Sequence, residues 1–238
     1  IEAVATPPSF FFTPTLENYF VVQNRSDYLN YAWNSIVISV FATLLAILIA
    51  VPASYSFAFQ PTKRTKFKLV WILSTKMMPP VGVLIPMYLF YKNMGLLDTH
   101  LALILLYAVA NLPIVVWLMH DFFANLPIEL EESAQLDGAT RFGIFWEIVM
   151  PLTRPGLAAT TLLILVLNWN EYLFAVFLST VKVQTMPIMV AAKNTGEKGV
   201  LWWEMCAVTV VMIIPVIIMS VLLTRFISKG VLLGAVKG

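Results

Sequence analysis

Charged residues are scarce: they make up 12% of the 238-residue sequence, about half the share usual in soluble domains. A chain so short of ionisable side chains cannot keep a whole monomer surface wetted, which excludes an ordinary water-soluble globule. Cysteine is nearly absent. The lone Cys206 rules out an internal disulfide framework and a cysteine-built metal cluster, and its place in an apolar run makes it packing material. His100 and His120 stand apart at the ends of apolar runs, so no metal-ligating set is indicated. No GxxxxGKS/T loop occurs, and a glycine pair such as GEKG does not replace one; the chain has no phosphate cradle of that kind for ATP. The net charge of +2 comes without a basic stripe interleaved with aromatics, which argues against nucleic acid as a partner. Nor does any stretch alternate with period two over the length of a membrane barrel strand.

What is present comes in long apolar blocks, with 60% hydrophobic residues and a mean hydropathy of +0.84. A hydrocarbon core about 30 Å thick needs roughly 20 apolar residues of helix. Five stretches reach that length: about Asn34–Phe59, Phe67–Tyr91, Leu101–Phe123, Leu157–Ser179 and Glu204–Phe226. Each is expected to be a helix, because a helix satisfies its own backbone polar groups in lipid. The fold class is therefore an all-α integral membrane protein, a multi-span helical bundle.

Lysine and arginine set the orientation. One set of connections holds Lys63, Arg64, Lys66 and Lys68, then Arg141 and Arg154, then Arg225, Lys229 and Lys237. The alternate set is poorer, with Arg25, Lys92, Lys182, Lys193 and Lys198. The richer set is expected in the cytoplasm. Residues 1–30, Pro- and aromatic-rich and without a span, then form a periplasmic N-terminal segment. Residues 31–226 form the transmembrane domain, with a cytoplasmic loop over 126–156 and a periplasmic loop over 180–203, and 227–238 form a cytoplasmic tail. The first span carries Ser35, Ser39, Thr43, Ala46, Ala50 and Ala53 at three- and four-residue spacing, a small-residue face suited to close helix packing in lipid.

The long cytoplasmic connection reads LPIELEESAQLDGATRFGIFWEIVMPLTRPGLAAT from Leu126 to Thr160. It is too polar to span and too regular to be a linker. Leu130, Ala134, Leu136 and Ala139 suggest a short helix with one apolar side. Gly138 permits a tight turn that a side chain would crowd. Phe142, Phe145, Trp146 and Val149 put an apolar stripe on a second short helix, which Pro151 is expected to end.

This loop resembles the EAA loop of ABC-importer permeases, with Glu132-Ser133-Ala134, Asp137-Gly138-Ala139, Phe145, Ile148 and Pro151 in the family's register. Ser133 in place of alanine is the one departure within the triplet. Residues 85–105 (IPMYLFYKNMGLLDTHLALIL), PLTRPGLAAT, WNEYLFAVFLST at 169–180 and the terminal KGVLLGAVKG resemble the second membrane subunit of maltose-type importers. The resemblance implies the type I ABC importer permease fold, with a sixth span upstream of Ile1, in a bacterial inner membrane. It also implies partners: a second permease subunit, two ATPase subunits holding ATP and Mg, a periplasmic solute-binding protein, and a sugar or sugar alcohol as solute. This chain itself would carry no cofactor. Coupling to the ATPase would fall to Glu132, Ser133, Ala134, Asp137, Gly138 and Ala139. Contact between the ATPase subunits would fall to the tail, Gly234, Ala235, Val236, Lys237 and Gly238.

Two polar features lie inside the spans. Lys76, roughly 14 Å into its span at 1.5 Å per residue, reads as a lysine snorkelling to the inner headgroups, with a pathway or gate residue as the alternative. Asn168, Glu171, Tyr172 and Ala175 share one face by helical spacing, and their donors, acceptors and aromatic ring suit a hydroxyl-rich solute. The first three are candidates for the substrate pathway, against the alternative that they only join helices. A secondary transporter would have Glu171 as its one deep carboxylate and would leave the loop match unexplained. A mere scaffold subunit would explain neither the loop nor the polar face. An amino-acid or peptide permease is the nearest alternative within the family.

Overall fold

The structure is a computed structural model that describes residues 15–25, 27–192 and 202–234. It is built from helices. In chain order they are α1 (Glu17–Arg25), α2 (Tyr28–Phe59), α3 (Thr65–Lys76), α4 (Pro80–Asn93), α5 (His100–Ala124), α6 (Glu129–Leu136), α7 (Arg141–Trp169), α8 (Leu173–Leu178), α9 (Met186–Ala192) and α10 (Trp202–Gly234). Among the described residues, α2, α5, α7 and α10 are each long and apolar enough to cross a bilayer, and α3 with α4 makes a fifth if the bent pair counts as one span.

The main packing seam lies between α2 and α5. Ala42, Ala46 and Ala50 are fully buried on α2, with Ser35, Ser39 and Thr43 beside them, so the small-residue face lets the two backbones approach. Ala108, Val115 and Met119 meet it from α5. Helix α7 then packs on α2 and α5 and is covered by α10. Gly156 is the closest approach in that layer, since a Cβ there would fall against the ring of Phe122. Outward, Phe41, Leu48, Ile49, Trp71, Ile217 and Ile218 are all at least half exposed. In water that would be a liability, but in lipid or against a partner subunit it is the fitting surface.

Three expectations change. The span at 67–91 is not one helix: α3 and α4 meet at 86°. Pro79 and Pro80 remove two backbone donors, and the residue before a proline is steered out of the helical region, so the chain turns and restarts with Pro80 in the first turn of α4. The second short helix of the loop is not ended by Pro151. It runs on through a π-helical stretch, Ile144–Val149, into the next span. A wider turn shifts each N–H to a carbonyl one residue further back, which accommodates the missing proline donor without breaking the helix. The span at 157–179 is interrupted instead at residues 170–172, between α7 and α8.

Candidate functional site

Helix α6 and its exit form the loop's elbow. Glu129, Glu131 and Glu132 lie in its first turn, where the free N–H groups and helix dipole favour negative charge. The C-terminal end closes with Gly138 N–H on Gln135 O at 3.1 Å and Ala139 N–H on Ala134 O at 3.0 Å, a Schellman pair. Gly138 has φ +81°, and nothing lies within 4 Å of a Cβ placed there. The glycine is therefore required by its dihedral and not by lack of room, which corrects the crowding expectation. Thr140 Oγ1 then accepts from Gly143 N–H at 3.1 Å and starts α7.

Of the six loop residues, Ala134 is buried against the bundle, while Glu132, Ser133, Asp137, Gly138 and Ala139 are exposed on the outer side of the elbow. Asp137 sits at the C-terminal end of α6, the wrong end of the dipole for a carboxylate, so helix stability does not account for it. Leu136 and Phe142 are 89% and 73% exposed on either side of the turn. The elbow presents an acidic and apolar surface with no cover from the other described residues. Of the tail residues, Gly234 closes α10, and Ala235, Val236, Lys237 and Gly238 lie outside the described residues.

Halfway along the bundle a chain of hydrogen bonds crosses four helices. Lys76 Nζ donates to Ala110 O at 3.0 Å and to Asn111 Oδ1 at 2.9 Å. Asn111 Nδ2 donates to Asn168 Oδ1 at 2.7 Å, and Asn168 Nδ2 donates to Thr43 Oγ1 at 2.9 Å. Lys76 thus turns inward to α5 and does not snorkel to the headgroups. Asn168, 2% exposed, spends both ends of its amide inside the subunit and does not share a face with Glu171 and Tyr172. The expected common face assumed a continuous helix, and α7 stops at Trp169. Asn111 was missed on sequence, although a lone asparagine in the apolar run YAVANLPIV is the kind of residue that needs a named partner.

The break itself is well satisfied. Asn170 Nδ2 bonds Val166 O at 2.8 Å, Tyr107 Oη donates to Glu171 O at 3.3 Å, and Glu171 Oε1 accepts from Phe174 N–H at 3.1 Å in the first turn of α8. Glu171 is half-buried and Tyr172 is 41% exposed. Through Asn111 and Asn168, Lys76 joins the end of α3 to the last turn of α7 just before this break. Irregular backbone at such depth is tolerated where it is buried in protein or lines a cavity.

At the end of the bundle opposite α6, Asp98 ties the α4–α5 turn to the strap after α8. Asp98 has φ +59°, unusual outside glycine, and its N–H donates to Leu178 O at 2.8 Å. Its carboxylate receives the N–H groups of Thr180 (3.2 Å), Val181 (3.2 Å), Lys182 (2.9 and 3.1 Å) and Val183 (3.1 Å). Burial pushes the carboxyl up, but the N–H groups of Lys182, Val183, Val181 and Thr180 outweigh it and hold the acid below its ordinary value. Nearby, Asn34 Nδ2 donates to Gln184 O at 3.0 Å, which leaves Asn34 Oδ1 to accept from His100 Nε2 at 2.8 Å.

Comparison with known proteins agrees with this architecture. Residues 50–232 match the family model described as binding-protein-dependent transport system inner membrane component. The trehalose/maltose transport system permease protein MalG of Thermococcus litoralis is 30% identical over 247 residues, covering 100% of this chain and 89% of that one. The sulfoquinovosyl glycerol transport system permease protein SmoH of Agrobacterium fabrum is 32% identical over 239 residues, covering 100% and 84%. Among solved structures, a bacterial ABC transporter involved in import of the acidic polysaccharide alginate superposes with a TM-score of 0.76 at 25% identity, over 94% of this chain and 85% of that one.

Proposed function

We propose that this chain, which belongs to the binding-protein-dependent transport system inner membrane component family, forms half of the solute pathway of an ATP-driven sugar importer. It is a multi-pass membrane permease subunit of the maltose type. The observation that carries the reading is α6: a short acidic helix with a glycine elbow, hung at one end of the bundle and exposed on its outer side among the described residues. Without a phosphate loop, motion driven by nucleotide has to enter through such a contact. ATP and Mg would belong to two partner ATPase subunits beneath α6. A second permease would complete the pathway, and a solute-binding protein would deliver a sugar or sugar alcohol at the opposite, periplasmic end. The α6 end and the tail would be cytoplasmic, as the lysine and arginine distribution requires.

For the pathway, the reading shifts from Asn168 to the interruption beside it. Asn170, Glu171 and Tyr172, with Lys76 behind them, offer acceptors, a donor and an aromatic face at mid-depth, which suits a polyhydroxylated solute. In a Cys206→Ser background, Tyr172→Cys should react with a polar thiol reagent from the water-filled side, and Asn168→Cys should not. Reaction at 168 and protection at 172 would reverse the assignment. The solute class is tested on the binding protein: mass spectrometry of the ligand it retains should find a carbohydrate. An amino acid or peptide there would refute the sugar reading while leaving the coupling role of α6 intact.

A further inference from the structure

The side of α6 that faces the bundle carries a buried acid for which ATPase docking has no use. Glu131 is 6% exposed, whereas its neighbour Glu132 is exposed. Consecutive helical residues point in different directions, so the two acids serve different sides. Glu131 Oε1 accepts a hydrogen bond from Gln135 Nε2 at 3.0 Å, but Oε2 is sealed from solvent with no hydrogen-bond partner among the described residues. The nearby hydroxyl is that of Tyr55 on α2, itself 8% exposed and likewise without a partner. Glu131 and Ala134, three residues apart, form the buried face of α6, and Ala134 packs in the cluster that holds Tyr55, so carboxylate and hydroxyl are buried at one junction of α6 and α2 without a well-aligned hydrogen bond closing between them.

The Tyr55 ring cannot swing away. Phe59 and Phe145 hold it with centroids at 5.0 Å each, and Phe123 closes the third side edge-on at 6.0 Å. Residues of α2, α5 and α7 thus converge at the spot against which α6 leans, and Ala134 of α6 belongs to the same apolar cluster. A buried donor and a buried acceptor, each unsatisfied at the same helix junction, favour any small displacement that joins them.

We propose that Glu131 is a positioning residue that latches α6 onto α2 through the Tyr55 hydroxyl, so that movement imposed on α6 is delivered to the bundle. The proposal rests on the reading of α6 as the coupling helix. Its division of labour is specific: Glu132 and the exposed elbow meet the ATPase, while Glu131 grips the permease.

The test uses the assembled importer in lipid, reading complex yield and ATP hydrolysis with and without the solute-binding protein carrying the ligand it retains. Tyr55→Phe removes only the hydroxyl and keeps the aromatic cage; Glu131→Gln keeps the shape and removes the charge. Each should assemble as the parent does and lose about fivefold or more of the binding-protein stimulation, within the usual range of coupling between sites. Tyr55→Phe combined with Glu131→Gln should be no worse than either alone, because one contact is being removed twice. Normal stimulation in Tyr55→Phe, effects that multiply in the double variant, or loss confined to assembly would overturn the latch. Glu132→Gln separates the two levels. If it lowers stimulation while Tyr55→Phe and Glu131→Gln do not, the latch fails and the coupling reading stands; if none of the three lowers it, the coupling reading fails as well.

Discussion

Replacing Asp98 by asparagine removes one oxygen from a site built around two. Oδ2 receives Val181 and Lys182, and Oδ1 receives Thr180, Lys182 and Val183. An amide nitrogen at the Oδ1 position would leave Thr180 and Val183 facing a donor; at the Oδ2 position it would strand only Val181, because Lys182 keeps the other oxygen. The side chain should therefore settle with its nitrogen at the Oδ2 position, and the remaining bonds lose their charge assistance. A hydrogen bond to a charged acceptor nets about 1.5–3 kcal/mol and a neutral one about 0.5–1.5, and partial exposure of Asp98 argues for the low end. The expected loss is about 1–2 kcal/mol of local stability, or roughly tenfold faster amide exchange at residues 180–183. Hydrogen-exchange mass spectrometry on the assembled complex reads this directly. Asp98→Gly, which suits the φ of +59° but offers no acceptor, should exchange faster still. Acid has a defined sign here. A carboxyl held below its ordinary value of 3.8 stabilises the clamp above that value, and the benefit is lost as pH falls through the lowered folded value. Protection in the parent should thus decline in that acid range and in Asp98→Asn it should not. Unchanged protection in Asp98→Asn at neutral pH would refute the clamp.

Three further outcomes follow from particular contacts. Gly138→Val should impair binding-protein-stimulated ATP hydrolysis, whereas Gly138→Asn should retain more of it, because asparagine tolerates positive φ and the surrounding space is open; equal effects of the two would point to crowding instead. Gly156→Ala should lower complex thermostability by about 1–3 kcal/mol, since a Cβ runs into the Phe122 ring, and adding Phe122→Leu should recover part of it. Asn168→Ala strands Asn111 Nδ2 and Thr43 Oγ1, each at about 1–3 kcal/mol, so yield of folded complex should drop while the apparent solute affinity of the surviving complex stays unchanged.

Much of this molecule could be read from sequence because lipid imposes blunt rules. Span length located α2, α5 and α10, and the spacing of Ser35, Ser39, Thr43, Ala46 and Ala50 identified the buried side of α2 before any packing partner was known. The elbow was legible because DGA follows EESA at a spacing that a Schellman ending requires. The two broken spans share one cause. Hydropathy reports which residues prefer lipid, and it is blind to where the backbone stops being helical. The bend before Pro80 leaves the apolar composition untouched, and at 170–172 the flanking apolar residues outweigh Asn170 and Glu171 in the average, so both spans read as continuous. Once continuity is assumed, a three-residue spacing puts Asn168 and Glu171 on one face, and the error passes straight into the candidate site. Asp98 was illegible for a different reason: its partners are backbone N–H groups 82 to 85 residues away, which no side-chain pattern records.

Burial resolves what the motifs leave mixed. In ELEESA the paired acids split, Glu131 inward and Glu132 outward; in NWNEY, Asn168 is locked in the core while Tyr172 is open. Each motif therefore joins a residue that secures the bundle to residues offered beyond it, and the two kinds fail differently. Loss of an inward member leaves buried polar groups unpaired and is felt as assembly or coupling within this chain. An outward member is bonded to partners or solute only when they are present, so its loss is felt as affinity for them. The proposed division between Asn168 in the bundle and Tyr172 on the pathway rests on this distinction, even though both belong to the same short segment.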